Sequence, residues 1–371
     1  MIGAFAYNAL PGRVVFAEGA LSKLPWELDA LGLKRAAILT TPQQVAQGDS
    51  VRAIIGTRAA AGYSGARMHV PIEVVDEAEK AIAGADCLLA IGGGSTTGLA
   101  KALALRTNLP IVAIPTTYAG SEMTPIWGLT QGGLKTTGRD LRVLPRLVIY
   151  DPDLLSTLSA NVVATSGMNA IAHCIEALYS ETANPVTSLM AEEGVRAIAE
   201  ALPLAASDHG NAVARAQVLY GAWLGGTVLG AVGMALHHKL CHTLGGSFDL
   251  PHAEVHTIVI PHATAFNAPA APEAIRRVAG ALGVVSAKQA AGALFDLIVA
   301  SGGPTKLSDI GMKEADLDRA ADLATRNPYY NPQPFDREAI RRLLDDAYHG
   351  RRPGGEKPSS IIETARRQTM G

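Results

Sequence analysis

Cys87-Leu88-Leu89-Ala90-Ile91-Gly92-Gly93-Gly94-Ser95-Thr96-Thr97 runs from an apolar strand through a glycine turn into a helix start, and it sets the fold class. Glycine tolerates positive φ and lets a ligand approach the backbone closely, while a helix N-terminus offers unpaired N–H groups and a partial positive charge. Gly92, Gly93, Gly94 and Ser95 are therefore candidates to cradle a pyrophosphate. A tight strand-to-helix connection alone could also need these residues, and the spacing differs from the common GxGxxG fingerprint. A second polar turn, Pro115-Thr116-Thr117, follows the next apolar run, Ile111 to Ile114. Ligands of open α/β sheets bind outside the carboxyl ends of strands, so Thr116 and Thr117 join the set. Thr40-Thr41-Pro42 closes a further run, Ala36 to Leu39, where a carboxylate would usually hold an adenine ribose. With none present nothing repels a 2′-phosphate, and either NADH or NADPH is expected, with Thr40 and Thr41 at the cofactor.

Working outward, Arg13 to Phe16 and Leu147 to Tyr150 complete a set of short β-type runs separated by helical stretches. That alternation reads as a largely parallel sheet with helices on its faces. After Asp151-Pro152 the β-type runs stop and long apolar or amphipathic helices follow. The expectation is an α/β nucleotide-binding domain over 1–155, an all-α domain over 156–350 and a loosely packed polar tail over 351–371. Two domains suit 371 residues, since single cores stop growing at roughly 250–300. A net charge of -2 argues against a nucleic-acid partner, and three widely spaced cysteines against a disulfide framework. No secretory signal is read at the N-terminus, so a cytoplasmic location is expected. Ala216 to Leu236 is chargeless and about as long as a membrane span, but its glycines suit a buried central helix, and no membrane partner is expected.

Six of the ten histidines lie between 237 and 262. His238 and His242 are four apart and share a helix face, with Lys239 between them. Gly245 to Pro251 reads as a loop, and His252 opens the next helix. Upstream, Thr165-Ser166 reads as the cap of a helix carrying Asn169 and His173, again four apart. Two such pairs could converge on a small ligand or a metal. His173, His238, His242 and His252 are taken as functional. His237 and His262 are read as structural histidines bonded to carbonyls at helix junctions, and His256 stays open between the two readings.

These segments resemble the iron-type alcohol dehydrogenases, in which one helix carries Asp-x-x-x-His and a later stretch reads His-x-x-x-His-x-Leu-Gly, then Pro-His. Here they are Asn169 to His173, His238 to Gly245 and Pro251-His252, with Gly92-Gly93-Gly94-Ser95 and Pro115-Thr116-Thr117 matching in the first domain. The resemblance implies a nicotinamide cofactor, a homodimer and a groove in which the imidazoles meet the nicotinamide ring. Asn169 replaces the family's metal-binding aspartate, Gly98 replaces an acid after the glycine turn, and His256 stands where Asn is usual. Together with Phe5-Ala6-Tyr7, Pro11-Gly12-Arg13 and Tyr330-Asn331-Pro332, these departures resemble the maleylacetate reductase branch. That branch reduces an activated carbon–carbon double bond in the catabolism of hydroxylated aromatics.

The resemblance then implies a dicarboxylate substrate met by Asn169, His173, His238, Lys239 and Arg13, with His173, His238, His242 and His252 catalytic. His242 is the expected proton donor, because the family's corresponding residue lies beside the metal without binding it. Asn169, His173, His238 and His252 would form a vestigial metal site, one negative charge short. Addition of hydride to a conjugated double bond yields an enolate, which needs hydrogen-bond donors and one proton, and a partly protonated imidazole cluster would attract the dianion. A metal-dependent alcohol or hydroxyacid dehydrogenase of the same superfamily, a metal-dependent lyase or hydrolase, and a non-catalytic nucleotide-binding protein remain the competing readings.

Overall fold

A computed structural model describes residues 5–10, 12–132, 134–326 and 329–354. The chain divides into two compact units, one of Ala9–Thr157 and one of Leu158 onward joined by the residues before Ala9. Pro11 of the opening motif and residues 355–371 of the expected tail lie outside the described residues.

The first unit runs β1 (Arg13–Phe16), α1 (Leu24–Ala30), β2 (Ala36–Leu39), α2 (Val45–Ile55), β3 (Ala59–Tyr63), α3 (Ile72–Ala81), β4 (Cys87–Gly92), α4 (Gly94–Thr107), β5 (Ile111–Pro115), β6 (Ile126–Gln131), β7 (Leu134–Arg139) and β8 (Leu147–Tyr150). Six strands form a sheet in the order β1-β8-β5-β4-β2-β3, all parallel, and β6 pairs with β7 as an antiparallel hairpin. The four inner strands are buried along their whole length. Helices cover both faces, which is why these strands are continuous runs of Ala, Val, Ile and Leu with no polar alternation. In a parallel sheet every strand ends on the same edge. The order β5-β4-β2 therefore sets the three polar turns side by side.

The second unit is helical: α5 (Ala160–Tyr179), α6 (Pro185–Ser207), α7 (Ala212–Ala231), α8 (Leu236–Phe248), α9 (His252–Asn267), α10 (Pro272–Ala281), α11 (Ala290–Ala300), α12 (Leu317–Thr325) and α13 (Arg337–His349). Its glycines mark close crossings. A Cβ on Gly221 would lie 2.5 Å from Ile198 Cγ1 and 2.9 Å from the Gly194 carbonyl, and one on Gly225 would lie 2.8 Å from the Ala170 carbonyl. Small residues thus let α7 lie backbone to backbone against α6 and α5. Leu240 and Leu244 of α8 and Val255, Ile258 and Val259 of α9 enter one apolar core with Leu317, Leu343 and Leu344 of α12 and α13.

Four local expectations are corrected. The chargeless stretch from Ala216 to Leu236 is not one helix: α7 stops at Ala231 and α8 leaves at 95°. Among the described residues no single helix is long and apolar enough to cross a membrane. Thr165 and Ser166 do not cap α5, because Ser159 does, accepting from the Val162 N–H at 3.4 Å. Both hydroxyls bond back inside the helix, to the carbonyls of Asn161 and Val162. The loop read at 245–251 is mostly helix, since α8 runs to Phe248 and only Asp249, with φ 55°, turns the chain. The start of the tail is not loose either, because Arg352 makes a bidentate ion pair, 2.8 Å on each arm, with the buried Asp296.

Candidate active-site residues in the two units

In the α/β unit, β4 ends at Gly92 with φ 151°, and α4 begins two residues later with Gly93 as its cap. A Cβ on Gly92 would sit 2.4 Å from Thr96 Oγ1 and 2.6 Å from Gln44 Oε1, so only glycine fits. A Cβ on Gly93 would meet the Thr117 side chain at 3.0 Å, whereas Gly94 has open space before it. Gly94 and the first N–H groups of α4 are therefore accessible to an anion, and no acidic side chain lies in that first turn. Gly98 is explained sterically: a side chain there would press within 2.8 Å of Val70 Cγ2.

Gln44 ties these turns together and was not singled out from the sequence. Its Nε2 donates to Thr116 Oγ1 at 2.7 Å and its Oε1 accepts from Thr41 Oγ1 at 3.0 Å. No periodicity marks a lone glutamine after a strand, so nothing in the sequence pointed to it. Thr40 Oγ1 and Thr96 Oγ1 are buried without a protein partner. Arg13 is withdrawn from the substrate candidates. It begins β1, at the sheet edge opposite the polar turns, and both arms of its guanidinium are held by the buried Glu27 at 2.7 and 2.8 Å.

In the helical unit, α5 presents Asn169, His173 and Glu176 on one face. α8 presents His237, His238, Cys241 and His242, and α9 presents His252 and His256. Six imidazoles meet. Ring centroids are 5.2 Å apart for His173 and His238, 4.9 Å for His238 and His256, 4.4 Å for His252 and His256, and 4.8 Å for His237 and His256. His242 lies 6.2 Å from His238 and stacks 6.3 Å from His252. Burial is graded through the cluster. His237 and His256 are innermost, His173 and His238 are buried, His252 is half-buried and His242 is exposed. Lys239 lies half-buried, its ammonium 5.5 Å from the centre of the Tyr329 ring.

The structural reading of His237 is thereby corrected, and His256, left open above, joins the cluster. His237 Nε2 shares a 2.9 Å hydrogen bond with His256 Nδ1, so both rings belong to the cluster and neither is a carbonyl-bound junction residue. His262 stands apart, with a buried Nε2 that has no protein partner. Burial holds His173, His237 and His256 well below the ordinary histidine range, and mutual repulsion with neighbouring imidazoles adds to it. Burial and mutual repulsion thus favour the neutral form of the innermost rings. Of the four rings expected to share charge, His173 is the one whose burial disfavours a proton.

Glu176 is the residue that sequence reading missed. It is fully buried and accepts from the backbone N–H groups of Ala235 at 3.1 Å, His237 at 2.8 Å and His238 at 3.3 Å, and from His238 Nδ1 at 2.5 Å. Asn169 Oδ1, His173 Nδ1, His238 Nε2 and His256 Nε2 are buried with no protein partner. Such orphaned atoms call for a ligand. Asn169, His173, His238 and His252 would offer a divalent cation three imidazoles and a carboxamide, a set with no anionic donor of its own, and the adjacent carboxylate of Glu176 already accepts from three backbone N–H groups. Among the described residues, His237, Cys241 and His256 do bring ligand atoms within 4.8 Å of one another. Those atoms already partner each other, with Cys241 Sγ 3.6 Å from His237 Nε2.

The comparisons with known proteins agree with this architecture. The iron-containing alcohol dehydrogenase family matches residues 11–152, and the C-terminal part of the Fe-containing alcohol dehydrogenase family matches residues 163–348. A maleylacetate reductase of Burkholderia cepacia is 55% identical over 354 residues, covering 95% of this chain and 100% of that protein. One of Sphingobium indicum is 51% identical, covering 94% and 99%. The crystal structure of maleylacetate reductase from Agrobacterium tumefaciens superposes with a TM-score of 0.91 at 50% identity, covering 95% of this chain and 100% of that one.

Proposed function

The chain belongs to the iron-containing alcohol dehydrogenase family, and from that premise we propose that it reduces the carbon–carbon double bond of maleylacetate to 3-oxoadipate without a catalytic metal. The observation that carries this reading is the imidazole cluster built around the neutral Asn169. Relatives about half identical over nearly the whole chain supply the substrate.

Gly92, Gly93, Gly94, Ser95, Thr116 and Thr117 would hold the nicotinamide nucleotide, with Thr40 and Thr41 as further contacts. The β2 turn carries Gln44 and no carboxylate, so NADH and NADPH are accepted alike. A bound reduced nicotinamide would supply the hydride, which the alkene carbon remote from the ketone would accept. The π electrons move onto the ketone oxygen and form an enolate. The carbon next to the ketone then takes one proton, which gives the saturated 3-oxo acid and NAD(P)⁺.

The protein has three tasks in this scheme: to hold two carboxylates, to stabilise the enolate and to deliver the proton. Asn169 can donate from its carboxamide, and Lys239 supplies fixed positive charge. His173 and His252 offer N–H groups to oxygen. His242, as the exposed ring of the cluster, exchanges protons with solvent after each turnover and is assigned the proton donor. A Lewis acid is useful for polarising an isolated carbonyl, whereas a conjugated alkene is already polarised.

The test follows NADH consumption with maleylacetate and with simple aldehydes, before and after exhaustive chelation and elemental analysis. Turnover of maleylacetate alone, undiminished by chelation, is expected. Aldehyde reduction that stops on chelation would instead identify a metal-dependent alcohol dehydrogenase.

A further inference from the structure

Away from the imidazole cluster, the helical unit encloses a cavity of about 560 Å³ that the proposed reaction does not use. Its walls are α9, α13 and the segment that follows α13. Gly350, with φ 65°, turns the chain out of α13, and Arg351 to Gly354 then line the third side. That side is anchored. The Arg351 guanidinium donates to Asp346 Oδ1 at 2.8 Å, and Arg352 grips Asp296 of α11 at 2.8 Å on each arm. The volume falls in the range of roughly 300–1,000 Å³ in which small-molecule sites are found. His262, which lines this cavity, follows His252 by ten residues on α9, about 15 Å along a helix. The cavity is therefore distinct from the imidazole cluster.

The lining combines an apolar wall with a few polar groups. Ala265 and Phe266 of α9, Ala339 and Leu343 of α13 and Pro353 supply the wall. Of its three arginines, Arg351 is neutralised by Asp345 and Asp346 and Arg352 by Asp296. Asp346 is the carboxylate in the lining, and the same pairing with Arg351 offsets its charge. Arg342 is exposed and has no ion-pair partner among the described residues. His262 is 5% exposed, and its Nε2 is buried without a protein partner. Burial pushes its pKa down to about 4, so near neutral pH the ring keeps one N–H and one lone pair for a ligand. An uncompensated guanidinium, an apolar wall and a spare hydrogen-bonding group together suit an anion with an apolar body. A carboxylate matches the planar fork of arginine in a two-point contact. A bare phosphate would leave the apolar wall against water.

We propose that this cavity is a second ligand site, which takes a small carboxylate with an aromatic or branched apolar body. The carboxylate sits at Arg342 and the body packs against Phe266 and Leu343, with His262 as the hydrogen-bonding group in the wall. The site is separate from that of the reduction, and its occupancy does not depend on which reaction the chain performs.

Benzoate serves as the probe, titrated calorimetrically into the full-length protein at pH 7.5. Saturable binding is expected, and benzamide, of the same shape without the charge, should bind at least about 10-fold more weakly. Arg342→Gln removes the charge at an exposed position where no ion pair is broken, and should weaken benzoate about 10-fold or more. Ala339→Phe, which fills the apolar side, should abolish binding. No saturable binding below about 20 mM, equal affinity for benzamide, or undiminished affinity in either variant overturns the proposal. Benzoate held equally well by both variants would lie elsewhere, at the imidazole cluster for instance. Inorganic phosphate bound as tightly as benzoate would mean that charge alone is read, which defeats the assigned ligand class. Should Ala339→Phe fail to fold, benzamide and Arg342→Gln still decide the question.

Discussion

At the scale of single residues, the exchange of one carboxylate for one carboxamide shapes the site. Asn169 keeps the size of an aspartate and loses its charge, and its own Oδ1, His173 Nδ1 and His238 Nε2 are buried with no protein partner. In the proposed scheme the proton comes from a ring that solvent can recharge, and His242 is the exposed ring of the cluster. His242→Ala is expected to lower kcat with maleylacetate by about 100-fold or more, the usual weight of a general acid, with the Kd for NADH unchanged. Stopped-flow hydride transfer and fluorescence titration separate the two quantities. Equal loss in both would mean that the ring serves binding and not proton delivery.

At the scale of elements, the helices are held at their crossings by residues that have no side chain to offer. Gly225 puts α7 against the carbonyl of Ala170, the residue next to Asn169, at a distance where a methyl group would lie 2.8 Å away. Gly225→Ala should destabilise the protein by about 1–3 kcal/mol and lower its Tm, because the neighbour is backbone and cannot rotate aside. An unchanged Tm in calorimetry would show that the crossing can open without cost. The elements also show where sequence reading stops. The buried parallel strands were legible because burial on both faces leaves an unbroken apolar run. β3, with the sequence Ala59-Ala60-Ala61-Gly62-Tyr63, was not, since it lacks β-branched residues and lies at the sheet edge. The bend between α7 and α8 was hidden because Val232 to Ala235 is as apolar as the helices it separates. Histidine density announced the cluster, and the i, i+4 pairs announced two of its helices. Glu176 was silent, because its partners are backbone N–H groups that acquire meaning only once α8 begins where it does.

For the molecule as a whole, the two units carry different kinds of chemistry, and stability should reflect it. The polar turns of the α/β unit offer backbone N–H groups and hydroxyls, and its buried Lys101 is pushed down to about 7, so below pH 7 the main pH dependence lies with the imidazoles that the helical unit buries. His262 is the clearest case, its pKa pushed down to about 4 by burial, with Asp346 opposing the shift. Between that value and the ordinary histidine pKa of about 6.5, the unfolded chain holds a proton that the folded chain does not. Stability therefore rises with pH across this window. The contribution is complete above about 6.5 and is lost as pH falls toward the folded value, at up to about 1.4 kcal/mol per pH unit for each such ring. His173, His237 and His256 are shifted in the same direction and add to the slope. Urea unfolding of the helical unit at pH 7, 6 and 5 should show a stability that falls steeply below pH 6.5. His262→Gln, which cannot take up the proton, should reduce that slope by about 1.4 kcal/mol per unit. A slope identical in the variant and the parent would mean that His262 is protonated equally in both states, and that the cavity around it admits water and charge.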